Sequence, residues 1–106
     1  MNSRPSAHPV HPGGSLADAI RDRGTTPERL AAEAGLKLAH VRAVLAGRSG
    51  LSAADALRLG RYFGTSPDYW LNLQAAYELD LATRGIGPEL DRIVPLPVVG
   101  PLDNGE

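Results

Sequence analysis

Between residues 15 and 82, apolar positions recur every three or four residues, and residues that cap or stop helices divide this stretch into five. Leu16 and Ile20 share one helical face. Ser15 with Asp18 has capping-box spacing and Gly24 supplies a left-handed stop, so a first helix is expected to begin near Ser15. Thr26 before Pro27 opens a second helix, because the hydroxyl can accept from free amides while proline at the first helical position forgoes no hydrogen bond. That helix runs to Gly35 with Leu30, Ala31 and Ala34 facing inward. After a turn through Leu36, a third helix buries Val41, Val44 and Leu45 and stops at Gly47. Ser52 with Asp55 opens a fourth, closed by Gly64, and Ser66 with Pro67 opens a fifth that extends as far as Ala82. The expectation is an all-α, five-helix domain over residues 15 to 82.

The flanks read differently. Residues 1 to 14 hold Pro5, Pro9, Pro12, Gly13 and Gly14 with little apolar pattern, as in a flexible arm. After Arg84, the residues Gly85, Gly87, Pro88, Pro95, Pro97 and Pro101 argue against a long regular helix. Residues 83 to 106 therefore read as a tail, partly disordered or docking through Ile93, Val94, Leu96, Val98 and Val99, with room for a short helix over residues 89 to 93.

A chain of 106 residues suits one core, and 42% hydrophobic with 22% charged residues is ordinary globular usage. The absence of cysteine excludes disulfides, thiolate metal sites and cysteine nucleophiles. There is no apolar run of the roughly 20 residues a membrane span needs, nor a signal-peptide order, so a cytoplasmic protein without membrane contact is expected. Net charge is only −1, but it is unevenly divided. Residues 1 to 64 carry nine basic against five acidic side chains, net +4, and the remainder two against seven, net −5. Such asymmetry suits a polyanion for the first half and a basic protein for the second.

Residues 27 to 46 meet the demands of a helix-turn-helix, in which two helices cross through a tight turn. Ala31 is small where the helices approach closely, Gly35 can take the positive backbone angle of the turn, and Leu30, Leu36, Val41 and Val44 form the wedge beneath. With these residues in place, the chain resembles the lambda-repressor-like helix-turn-helix family, and within it the HigA-type antitoxins. The resemblance is carried also by His11-Pro12-Gly13 and by the run from Gly64 to Leu79 that contains Ser66-Pro67-Asp68-Tyr69-Trp70-Leu71. It implies a dimeric repressor of transcription that binds a pseudo-palindromic operator in duplex DNA and neutralises a RelE-like, HigB-type ribonuclease toxin.

Carried over position by position, the third helix would present Lys37, Leu38, Ala39, His40, Arg42 and Ala43 to the major groove. Lys37, Arg42 and Arg48 are the candidates for phosphate or guanine contacts, Thr26 for a phosphate at a helix N-terminus, and Leu38, Ala39 and Ala43 for thymine methyl groups. Leu and Ala stand where relatives often carry Gln, Asn, Ser or Arg, and Glu28 sets a negative charge near the expected DNA path. These departures leave room for two other readings, a helical protein-interaction module that binds DNA weakly and a solitary regulator without a toxin.

In the fifth helix, Trp70, Leu73, Tyr77 and Leu81 mark a core stripe. Leu71, Ala75, Leu79 and Ala82 make a second apolar face, assigned to a homodimer contact that would space two recognition helices by one DNA turn, ~34 Å. His8 and His11 lack a third ligand for a metal, His40 with Ser49 and Ser52 makes no catalytic triad, and Gly13-Gly14-Ser15 lacks the lysine of a nucleotide loop. No enzyme activity, metal or cofactor is expected.

Overall fold

Four of the five helices of this chain start on a residue that accepts a hydrogen bond or spares an amide, the third starting from Lys37 without a side-chain cap, and these starts set the boundaries seen in the computed structural model, which describes residues 9–97. Five helices follow in order: α1 (Pro12–Asp22), α2 (Pro27–Ala34), α3 (Leu38–Leu45), α4 (Ala53–Phe63) and α5 (Pro67–Leu90). The Thr26 and Ser66 hydroxyls accept from the amides of Arg29 and Tyr69, ahead of prolines in the first turn. Ser52 and Asp55 form a reciprocal capping box on α4. The all-α, five-helix expectation holds, and the described residues contain no strand.

Two boundaries differ from those expected. Ser15 and Asp18 do not open α1; His11 does, with its Nδ1 accepting from the Gly13 amide at 2.9 Å and Pro12 as first helical residue. Pro12 and Gly13, expected in a flexible arm, are buried. Imidazole nitrogen is an unusual cap, and the Ser15 spacing was a decoy inside the first turn. Residues 1 to 8 of the expected arm lie outside the described residues. At the other end α5 continues past Ala82 to Leu90, through Gly85, Gly87 and Pro88. Glycine weakens a helix by only about 1 kcal/mol, and Pro88 stands in the last turn, where it removes a single hydrogen bond. An Arg84–Asp80 pair one turn apart, at 3.0 Å, supports the same stretch. The expected separate helix over residues 89 to 93 is therefore the end of α5 and the turn after it. Ile93, Val94 and Leu96 are exposed and dock on nothing among the described residues, while Val98 and Val99 lie beyond them.

The core collects Leu16 and Ile20 from α1, Leu30 and Ala31 from α2, Val41 and Val44 from α3, Ala56, Leu59 and Phe63 from α4, and Trp70 from α5. Trp70 is 1% exposed, and its indole N–H donates to the Thr65 hydroxyl at 2.8 Å, so no polar atom is stranded. The rest of the expected stripe splits: Leu73 packs at the core edge, Tyr77 meets the His11 ring edge-on, and Leu81 is exposed. Gln74 is buried and accepts from the Leu51 amide at 2.8 Å, tying the α3–α4 loop to α5.

One close approach fixes the layout. A methyl group on Gly13 would overlap the backbone carbonyl of Val44, so α1 and α3 touch backbone to backbone at this point. The His-Pro-Gly run is thereby explained: a cap, a first-turn proline and a contact that admits no side chain. Because the obstructing atom is backbone, Gly13→Ala is expected to destabilise the fold by about 1–3 kcal/mol in urea unfolding, whereas Gly14→Ala, whose added methyl meets open space, should be neutral or stabilising.

Candidate nucleic-acid interface

The turn between α2 and α3 is three residues long, and its first, Gly35, has φ 73° and ψ 31°. That left-handed conformation costs glycine nothing, and it lets the Leu36 amide return to the Ala31 carbonyl at 2.9 Å while α3 sets off in a new direction. The Arg58 guanidinium donates to the Ala34 carbonyl at 3.0 Å, closing α2 from the side of α4. Inside the angle, Leu30, Ala31, Val41 and Val44 are buried and Leu36 packs at the edge of the core. The wedge is the one expected from sequence.

With α3 held by its inner side, the outer side is open. Lys37, Ala39, Arg42 and Arg48 are exposed, Ala43 is half-buried, and Thr26 stands exposed at the start of α2. Two of the candidate groove residues face elsewhere. Leu38 packs against the core edge. His40 is turned toward α4, its Nε2 2.8 Å from Asp55 Oδ2, with the imidazole 32% exposed. The same Asp55 oxygen accepts from the Ser52 amide at 2.9 Å, so one carboxylate both caps α4 and holds α3. Burial pushes the Asp55 carboxyl up, but the Ser52 amide and then the His40 ring outweigh it, leaving the group below the usual aspartate range.

Arg42 is engaged as well. Its guanidinium donates to Glu28 Oε2 at 2.7 Å, joining the first turn of α2 to α3 across the outer surface. The backbone amide of Glu28 and then Arg42 hold that carboxyl below its ordinary value. Pairing across fourteen positions leaves no periodic trace, and sequence registered Glu28 only as an unwanted charge. Farther back, Glu33 is likewise held low, first by the Tyr62 hydroxyl and then by Arg29. Among the described residues no group of three His, Asp or Glu is placed to hold a metal, and no helix is long and apolar enough to cross a membrane.

Residues 16–70 match the helix-turn-helix family. Virulence-associated protein I of Dichelobacter nodosus is 35% identical over 92 residues, covering 82% of this chain and 81% of that protein. Among solved structures, an addiction module antidote protein of the HigA family from Coxiella burnetii superposes with TM-score 0.79 at 34% identity, covering 84% of this chain and 99% of that one. The Pseudomonas aeruginosa antitoxin HigA, solved with the higBA promoter, gives TM-score 0.78 at 36% identity, again over 84% of this chain and 99% of its own. The chain belongs to the helix-turn-helix family, among its HigA-type antitoxins.

As a HigA-type protein it belongs with regulators and is not an enzyme. The coverage of the relatives extends past the helix-turn-helix proper, in keeping with an α5 that is part of the folded unit. On that helix Leu71 is half-buried, and Ala75, Leu79 and Ala82 are exposed. Leu71 packs at the edge of the domain's own core, and the other three are open to solvent.

The Asp55 contacts give this HigA-type fold a testable acid response. A carboxyl held lower in the folded than in the unfolded state stabilises the fold above its ordinary value of 3.8 and loses that contribution as pH falls through the folded value. Asp55→Asn should therefore lower the melting temperature at pH 7 yet lose less further stability than the parent between pH 4 and pH 2, as measured by circular dichroism.

Proposed function

We propose that this HigA-type chain is a DNA-binding autorepressor and the antitoxin of a HigBA-type module, acting as a homodimer on a pseudo-palindromic operator and neutralising a RelE-like ribonuclease toxin. The observation that carries the reading is the outer side of α3, uncovered by any described residue and bearing Lys37, Ala39 and Arg42, in a chain similar to a HigA solved with its promoter. A major groove about 12 Å wide admits such a helix, and its first residues meet base edges. Lys37 and Ala39 stand at that end. Arg42, Arg48 and the Thr26 hydroxyl flank it, in reach of phosphates or guanine, with Ala39 and Ala43 offering apolar contact to thymine methyls, while Leu38 serves the core edge instead. His40, bound to Asp55, serves to set the register of α3.

Arg42 can reach DNA only by sharing or leaving Glu28. Exposed ion pairs contribute little and are weakened by salt, whereas a bidentate arginine–guanine contact discriminates by roughly tenfold or more. The exchange favours DNA. The net charge of −5 over residues 65 to 106 supports the second half of the proposal, an acidic surface for a basic toxin.

The experiment is a gel-shift titration with the protein's own promoter region at several salt concentrations. Arg42→Ala should weaken binding at least tenfold and flatten the salt dependence, while Arg61→Ala, on α4 and away from α3, should change it less than twofold. Glu28→Gln should tighten binding, since it removes both a competitor for Arg42 and a charge that DNA repels. No complex at low salt from folded protein would dismiss the repressor role and leave the interaction-module reading. For the antitoxin role, co-expression with a small basic protein encoded next to this gene should yield a stable complex that lacks ribonuclease activity; failure to co-purify would remove that role.

A further inference from the structure

The Glu28 carboxylate lies in the first turn of α2, between two residues proposed above as DNA contacts, Thr26 and Arg42. Three donors converge on it. Its own backbone amide, among those left free at the start of α2, has the strongest hold. The Arg42 guanidinium follows, with Nη2 2.7 Å from Oε2, and the Thr26 hydroxyl adds to both. Thr26 accepts from the Arg29 amide at 3.0 Å, which leaves its own proton to donate. Pro27 has no N–H, so the Glu28 amide is the first that α2 can present. A helix-start amide, a hydroxyl and an arginine are the kind of set that grips a DNA phosphate. In this protein they already hold an anion, and because they keep the carboxyl below its ordinary range it stays charged at neutral pH. Both side chains of the Glu28–Arg42 pair are 58% exposed, so DNA can reach it.

We propose that the Glu28 carboxylate is an internal stand-in for a DNA phosphate, which makes Glu28 a specificity-determining residue that weakens binding to non-operator duplex more than binding to the operator. This rests on the operator-binding reading above and adds to it a residue outside the expected contacts. Duplex that lacks the operator sequence offers the protein chiefly its phosphates. To engage Arg42, Thr26 and the α2 amide, a phosphate must displace the carboxylate. One anion then replaces another, and the displaced one stays close and repels it, so little is gained. Guanine differs, because its O6 and N7 are uncharged acceptors in the major groove. A guanidinium carries five N–H donors, and the contact with Glu28 uses Nη2 alone. Arg42 can therefore keep the carboxylate and still set two parallel N–H groups on guanine, with Glu28 steadying the fork. The phosphate mode is penalised and the guanine mode is not. Glu33, the other acid of α2, engages Arg29 and Tyr62 and none of the candidate DNA contacts, so it supplies the control.

The test is fluorescence anisotropy of the full-length protein with two labelled duplexes, one from its own promoter region and one scrambled at the same length and base composition, over a range of salt. Glu28→Gln should tighten binding to the scrambled duplex about tenfold and to the promoter duplex only about two- to threefold, so the ratio of the two affinities falls at least about threefold. Its salt slope on the scrambled duplex should steepen by about one, the mark of one further phosphate contact. Glu33→Gln removes the same charge from the same helix and should change the ratio by less than about twofold. Circular dichroism should report both variants folded. Equal tightening on the two duplexes, or an unchanged salt slope on the scrambled one, would mean that Glu28 only adds to the overall negative field; either overturns the inference and leaves operator binding standing. The same fall in ratio from Glu33→Gln overturns it as well. A folded parent that binds neither duplex at low salt removes the operator-binding reading and this inference with it.

Discussion

The backbones of α1 and α3 meet where Gly13 lies against the Val44 carbonyl, and what this protein can present to DNA depends on that contact. It sets how deeply α3 sits in the domain. Val41 and Val44 are thereby carried to full burial, and the opposite side of the helix is left proud of the surface. A side chain at residue 13 would push the two helices apart, and α3 is too short, at eight residues, to keep its place by its own stability. His11 serves the same contact by capping α1 and by resting its ring edge against Tyr77, which links the start of the chain to α5.

A second constraint is electrostatic. His40 and Arg42, two of the titratable or cationic residues on α3, are both occupied by carboxylates from other helices, Asp55 and Glu28. The pairs differ in kind. Asp55 is 8% exposed and also caps α4, so the contact with His40 is a structural tie between α3 and α4. Glu28 and Arg42 are open to water, and a pair of that sort holds a side chain loosely in one orientation without committing it. One pair fixes α3; the other leaves a cation exposed at its surface.

Much of this was legible in advance. The five helices, their order, the wedge of Leu30, Ala31, Leu36, Val41 and Val44, and the turn at Gly35 all follow from local capping chemistry and from spacing, which are properties of short stretches of chain. The errors fell at the two ends. Gly13 and Pro12 looked like loop residues because the reason for them, the Val44 carbonyl, is thirty-one residues away. Gly85, Gly87 and Pro88 looked like helix breakers because each carries a helix cost, about 1 kcal/mol for glycine and about 3 kcal/mol for proline, and α5 runs through them in spite of it.

The amino-acid sequence by itself determined which segments are helical, which faces are apolar and where the chain must turn, since caps, glycines and three-to-four spacing act within a few residues of one another. Only the tertiary structure decided which candidate groove residues remain available. Leu38 and His40 are drawn inward and Arg42 is paired across fourteen positions, because packing and charge pairing operate between groups that the fold, and not the order of the chain, brings together.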